Sequence, residues 1–323
     1  KIYGFRLHGS DHRSVELPWG AVEKQSPHAY VAPRSELDEM LLRHAERAGA
    51  ATLQRCKAVG ALDDHGQVTG VSVVHDDVPK EFRAKVVIAA DGASSPIGRS
   101  VGMAPAEERT SVAIRAVLTS QRPDDPFMDV HFTLRAKGGV SLPGYGWVFP
   151  MGGNLLNIGI GSLVTESKRW RLNMFQLLRD FIDSLPRSWD LQDVEGVRGS
   201  SQVKAWRLPM GFAVWPPWRP GILAVGDAAG VIEPLTGEGI GEAIRSGLAG
   251  GDAALEAIDG RGARDLSHYE DRLKEFWGRH YPLARTAVSL LGGPRMFPLV
   301  SALLGRQPIV TRAVWGIASK LSR

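Results

Sequence analysis

The residues best placed to do chemistry lie in one stretch, Ile222-Leu223-Ala224-Val225-Gly226-Asp227-Ala228-Ala229-Gly230 followed by Pro234-Leu235-Thr236-Gly237-Glu238-Gly239-Ile240. The apolar residues before Gly226 describe a buried strand that turns at its carboxyl end, the position at which open α/β sheets bind ligands. A carboxylate at Asp227 can accept hydrogen bonds from ligand hydroxyls, and Ala228 and Ala229 leave a flat surface for a ring. Gly237 and Gly239 let a ligand approach the backbone with no Cβ in the way. The helix expected to open near Gly237 offers free N–H groups and the positive end of its dipole to an anionic group. Gly-Asp alone would be only a turn; the stretch as a whole reads as a binding site.

Other candidates are weaker on their own. The run Val86-Val87-Ile88-Ala89-Ala90 ends in Asp91-Gly92, with Ser94, Ser95 and Arg99 following. An isolated Asp-Gly usually marks a turn. Tyr145, Trp147 and Phe149 alternate in Pro143-Gly144-Tyr145-Gly146-Trp147-Val148-Phe149-Pro150, so on a strand they share one face. A stripe of that kind is more often core than pocket. Arg34 precedes a helix and reads equally as a surface arginine or an arm to a ligand, and Ala58 on the next strand carries no signal alone. No metal site is expected: His8 and His12 flank Gly9-Ser10-Asp11, a turn, and read as exposed turn histidines with no third ligand. Gly98-Arg99-Ser100-Val101-Gly102 matches a nucleophile elbow only in letters, because the strand that should run into it ends at Ala90. Cys56, the single cysteine, forms no intrachain disulfide and reads as a small buried apolar group in a reducing cytoplasm.

The elements that must position these residues alternate between two kinds. A helix is expected over 35–49, with Ser35 as its N-cap and Leu37, Leu41, Leu42 and Ala45 on one apolar face. A three-strand meander follows at 52–62, 68–74 and 82–90. Strands at 111–118, 128–134, 147–150 and 157–163 suggest one antiparallel sheet, then a helix at 173–185. Strands return over 196–225, with helices over 237–258 and 264–281 and a proline-broken helical tail over 283–323. The fold class implied is α/β: a Rossmann-like nucleotide-binding domain with an inserted antiparallel-sheet substrate domain and a C-terminal helical region. The corresponding boundaries are 27–110 with 196–260, 1–26 with 111–195, and 261–323.

Composition narrows the classes. The chain of 323 residues has a formal net charge of +4, without a Lys/Arg run or an aromatic-interleaved basic tract, so no nucleic-acid partner is expected. It contains no apolar run of about 18 residues and opens with no signal peptide. From 281 onward there are five arginines and one lysine, Lys320, but no Asp or Glu, interleaved with residues such as Leu290, Phe297, Ile309 and Trp315. Two readings stand side by side: interfacial helices resting on anionic lipid, and helices packed on the body or at a dimer contact. The expected location is the cytoplasm, with the inner membrane face as a peripheral site.

A resemblance gathers these pieces. The segment Gly226-Asp227-Ala228-Ala229-Gly230, then 233–240, then Ala243-Ile244-Arg245-Ser246-Gly247, resembles the second FAD motif of the para-hydroxybenzoate hydroxylase-like flavoproteins, and among them the geranylgeranyl reductase family. Asp91-Gly92 resembles that family's second short motif near the pyrophosphate, and Arg34 the arginine before its first long helix. The resemblance implies FAD as cofactor, held by Arg34, Ala58, Asp91, Gly92, Gly226, Asp227, Pro234, Gly237, Gly239 and Ile240, with NAD(P)H or another reductant as electron donor. It also turns the aromatic stripe into a substrate lining, because Tyr145-x-Trp147-x-Phe149-Pro150 resembles the family's Tyr-x-Trp-x-Phe-Pro signature. The activity implied is saturation of C=C bonds in an isoprenoid chain, geranylgeranyl or prenyl-quinone, by hydride from flavin N5; no residue is an obvious proton donor, and Tyr145 is a candidate. A flavin monooxygenase or halogenase is the alternative, although halogenases carry a Trp-x-Trp-x-Ile-Pro pattern instead. The family's opening Gly-x-Gly-x-x-Gly unit does not occur here, so a missing first βαβ unit is expected.

Overall fold

The computed structural model describes residues 1–9, 13–19, 27–122, 125–135, 139, 141–163, 168, 172–193 and 203–291. Its strands are β1 (Gly4–His8), β2 (Ser14–Pro18), β3 (Cys56–Asp64), β4 (Gln67–His75), β5 (Val78–Arg83), β6 (Val87–Ala89), β7 (Thr110–Thr119), β8 (Phe127–His131), β9 (Gly144–Gly152), β10 (Leu155–Leu163), β11 (Gln192–Asp193), β12 (Lys204–Pro209), β13 (Trp218–Arg219) and β14 (Ile222–Ala224). Its helices are α1 (Arg34–Arg47), α2 (Pro96–Ser100), α3 (Met174–Asp183), α4 (Ile240–Glu256), α5 (Ser267–Trp277) and α6 (His280–Leu291). The chain divides into two compact units, one of 1–52, 112–206 and 290–323, the other of 53–111 and 207–289.

The first unit is built on an eight-stranded sheet in the order β11-β7-β10-β9-β8-β1-β2, with β12 also on β7. Strand alternation assigns the two faces of β9. Gly146 and Val148 are buried, and a Cβ on Gly146 would lie 2.5 Å from the Phe181 ring, so α3 covers this face. Asn173 caps α3 by accepting from Gln176 N at 3.1 Å, and Leu177, Leu178 and Phe181 recur at helical spacing to bury its inner side with Ile114, Ile158 and Ile160. Tyr145, Trp147 and Phe149 point to the opposite face and are half-buried.

The second unit holds two three-stranded sheets. One is the meander β3-β4-β5; the other runs β13-β14-β6, with β14 and β6 parallel. Its core joins Ala89, Ile222, Leu223, Ala224, Val231, Ala253, Leu266, Tyr269, Leu273, Trp277 and Tyr281, all essentially inaccessible. Burying such side chains stabilises by about 1.5–3 kcal/mol each.

Several expectations are corrected. The strand expected over 82–90 is two strands: pairing with β4 ends at Arg83, and β6 leaves the meander to lie beside β14, where Val87 N donates to Gly221 O at 2.9 Å. The sheet of the first unit is not purely antiparallel, since β1 pairs β8 in parallel, His8 opposite His131. Ser35 is not the N-cap of α1; Pro33 holds that position without a side-chain bond, and Arg34 begins the helix. The apolar face of α1 buries none of its residues. Helix α4 opens at Ile240, capped by Gly239, rather than near Gly237. Cys56 is half-buried at the edge of β3. His12, and the tail beyond 291 with its lipid-surface and packing readings, lie outside the described residues.

Candidate active site

The turn after β14 is shaped by glycine and locked by hydroxyls. Gly226 takes φ +57°, and its N–H donates to Ser246 Oγ of α4 at 2.9 Å, while that hydroxyl donates to Glu242 O at 2.7 Å. A Cβ on Gly226 would press on Ala243 at 3.2 Å, so strand end and helix meet closely only with glycine here. Tyr269 Oη donates to Ala224 O at 2.7 Å, fixing the strand from below. Residues 226–229 form one 3-10 turn that Gly230 ends at φ +66°. Asp227 is half-buried in it, and its Oδ1 lies 3.6 Å from where a Cβ of Gly239 would sit. The structure thus brings Gly226, Asp227, Gly239 and the first turn of α4 to one place.

Sequence reading missed the residue that organises the following loop. Glu233 is 4 % exposed. Its Oε2 accepts from Leu235 N at 2.9 Å and from the Thr236 N–H and hydroxyl, while Oε1 meets His280 Nε2 at 2.9 Å. Gly237 N donates to Glu233 O at 3.0 Å with φ +76° at Gly237. Pro234 is buried against Gly211, where a Cβ would lie 2.7 Å from the proline ring. One carboxylate therefore holds residues 233–237 in the shape that presents Gly237, Gly239 and Ile240. The signal that could have found it was a lone Glu inside an apolar run, which stays buried only if its oxygens are satisfied.

The remaining candidates are placed less uniformly. Asp91 is committed to its own loop: Ser95 Oγ donates to it at 2.6 Å and Ile97 N at 3.0 Å. What it leaves open is Gly92, at φ +76°, with no atom within 4 Å of a would-be Cβ. Ala58 sits half-buried on β3 opposite Val73. Arg34 belongs to the other unit and pairs with Asp38 at 3.0 Å on the exposed side of α1. In the aromatic stripe, the Trp147 ring lies flat over Gly159, whose Cβ would be 2.1 Å from it, and Trp147 Nε1 donates to Asn157 Oδ1 at 3.1 Å. Ring centroids follow at 6.1 Å to Tyr145 and 6.2 Å to Phe149.

Two further clusters bear on chemistry. Ser100 is no nucleophile: its hydroxyl donates to Ile97 O at 2.7 Å and accepts from Ala61 N at 2.9 Å. His8, Asp129 and His131 gather closely enough to suggest a cation site, and His8 is not the exposed turn residue expected. Arg122 and Arg6 also reach Asp129, at 2.7 and 3.3 Å, and the two histidine rings stack in parallel at 4.1 Å. Two guanidiniums beside the carboxylate disfavour a further cation there. Burial and the neighbouring His8 hold the His131 imidazole well down, at about 3.

The glycine-lined approach, the carboxylate at the strand end and the helix N-terminus suit a cofactor with hydroxyls and an anionic ring edge. The sequence matches the FAD binding domain family over residues 5–276. This chain belongs to that family of FAD-binding proteins. As a flavoprotein it is 33 % identical over 321 residues to the menaquinone reductase of Mycobacterium tuberculosis (strain ATCC 25618 / H37Rv), covering 98 % of this chain and 74 % of that protein. It is 30 % identical to the digeranylgeranylglycerophospholipid reductase of Thermoplasma acidophilum, covering 100 % of this chain and 80 % of the relative. A solved structure of a geranylgeranyl bacteriochlorophyll reductase-like protein from Thermoplasma acidophilum superposes with a TM-score of 0.83 at 27 % identity, over 100 % of this chain and 80 % of that one. The myxobacterial chondrochloren halogenase shares the fold, with a TM-score of 0.71 at 17 % identity over 100 % of this chain and 75 % of the halogenase. The flavoprotein is an FAD-dependent oxidoreductase of the geranylgeranyl reductase family.

Proposed function

We propose that this flavoprotein saturates C=C bonds of an isoprenoid chain carried on a quinone or a phospholipid. The observation that carries the reading is the half-buried stripe Tyr145, Trp147 and Phe149, on the face of β9 that α3 leaves uncovered. Such a stripe fits a long apolar chain, since aromatic walls with few polar groups line sites for hydrophobic ligands. The names of the relatives, a menaquinone reductase and a digeranylgeranylglycerophospholipid reductase, support that substrate class. When bound, FAD supplies the hydride, drawn from NAD(P)H or another reductant.

The chain's own residues bind and orient. Asp227 accepts from the ribityl hydroxyls, Gly226, Pro234, Gly237, Gly239 and Ile240 frame the ring, and the α4 N-terminus faces its electron-rich edge. Gly92, positioned by Asp91, lies by the pyrophosphate and Ala58 by the adenine. Tyr145 is a candidate to place a proton on the substrate. A peripheral membrane contact suits a lipid substrate, and Leu283 and Leu290 on α6 are exposed at 57 % and 66 %; among the described residues no helix is long and apolar enough to cross a membrane.

The test is anaerobic turnover. Protein loaded with FAD and reduced by NADPH, NADH or dithionite is mixed with menaquinone or an unsaturated digeranylgeranyl phospholipid, and products are weighed by mass spectrometry. A gain of two hydrogens per bond is expected. Unchanged lipid under all three reductants, or a product that forms only with O₂, overturns the reading.

A further inference from the structure

One buried ionisable group in the second unit has no task in the reading above. Glu242 is 8 % exposed in the first turn of α4, and its Oε2 has no hydrogen-bond partner. Its neighbour Glu233 pairs with buried His280, whose Nδ1 is a second orphan. The charged and titratable groups that act on it are Glu233 and Glu238 of the loop, Arg245 on α4 itself and Tyr281 of α6, with His280 of α6 one step further, on Glu233. Of the three nearby glutamates, Glu233 is saturated by His280 and its own loop, and Glu238 is exposed to solvent. Glu242 alone is buried with an oxygen to spare.

We propose that Glu242 takes up a proton when the FAD held at the α4 N-terminus is reduced, coupling the redox state of the cofactor to proton uptake inside the protein. The proposal rests on reading residues 226–240 as the flavin's seat. A carboxylate inside the first helical turn and a reduced ring that carries negative charge compete for the same positive helix end. Two like charges at one site cannot both persist cheaply in a poorly solvated interior, so reduction raises the proton affinity of the carboxylate. Two electrons from the added reductant and one solvent proton enter the ring, and a second solvent proton converts the Glu242 carboxylate to the acid. With dithionite as reductant, sulfite is the oxidised product. Burial, with Glu238 and Glu233 nearby, already pushes the Glu242 carboxyl up to about 7 before any reduction, so above that pH it has a proton to gain.

The experiment is a redox titration of the full chain loaded with FAD, wild type and Glu242→Gln, followed by flavin absorbance from pH 5.5 to 8.5. Each proton taken up with the two electrons changes the equilibrium tenfold per pH unit, about 30 mV. The wild type is expected to steepen by one such proton above pH about 7, and the Gln variant to keep the single-proton slope throughout. A reduced-minus-oxidised infrared difference spectrum of the wild type at pH 8 supplies a second readout, a carboxylic acid C=O band that appears on reduction, and it needs no variant to fold. A wild-type slope without a break, a break that survives in Glu242→Gln, or no new acid band overturns the proposal while leaving the flavin reading intact. Failure of the wild type to take up FAD overturns both.

Discussion

At the residue scale, Asp227 and Glu233 do different work and their removal should look different. Asp227→Ala removes a charged acceptor from a site otherwise made of backbone. Loss of one such bond costs about 1.5–3 kcal/mol, so FAD should bind the apoprotein roughly tenfold to a hundredfold more weakly, read by quenching of flavin fluorescence. Glu233→Ala instead frees the Thr236 amide and hydroxyl and leaves buried His280 without its partner. Removing one member of a buried pair costs about 3–5 kcal/mol. The apoprotein itself should therefore melt much lower, and an unchanged melting temperature would show that the loop does not depend on this carboxylate.

At the element scale, β9 and β10 are held in a geometry that only glycine allows. Trp147 lies on Gly159, and Phe181 of α3 on Gly146. Gly159→Val would drive the indole off its seat, because overpacking costs about 1–3 kcal/mol and the ring can swing where a backbone cannot. The expected result is a shifted tryptophan emission and poor turnover of prenyl lipids with FAD affinity intact; unchanged turnover would remove Trp147 from the substrate lining. These elements also show what sequence reading reaches. Helix α3, the runs at β6 and β14, and the alternation along β9 were visible because hydrophobic period is local. The departure of β6 from the meander was not visible, since Phe82 and Val87 are equally apolar and only the distant β14 decides which sheet claims the second run. The start of α4 was misjudged for a similar reason: Gly237 and Gly239 mark a loop whose shape is imposed by Glu233 from outside it. The exposed face of α1 breaks the rule in the other direction, as an apolar stripe predicts burial without naming what it packs against.

At the scale of the whole molecule, two groups with opposite shifts should bend the stability profile. Glu242 is pushed up to about 7 from 4.5. The folded state then binds more protons than the unfolded chain between those values, so stability falls as pH rises through that window, by on the order of 3 kcal/mol. His131 is pushed down to about 3 from 6.5. There the unfolded chain binds more protons, so its contribution is lost as pH falls below 6.5. Urea unfolding of the apoprotein across pH 4 to 8 should show both limbs, with Glu242→Gln flattening the upper one and His131→Phe the lower. A Gln variant that still loses stability over pH 5–7 would place that limb elsewhere.

The parallel pair at the heart of the second unit has a consequence for how the protein is made. Val87 of β6 lies beside Ile222 of β14, with the whole of 112–206 emerging from the ribosome in between. At about 5–20 residues per second, roughly 7 to 27 seconds separate the two strands during synthesis. Through that interval the nascent chain exposes the apolar edge of β6, while the segment that follows can already close its own sheet. Capture of the cofactor thus waits until β14 has been made, and a growing chain halted before residue 222 should carry no flavin at all.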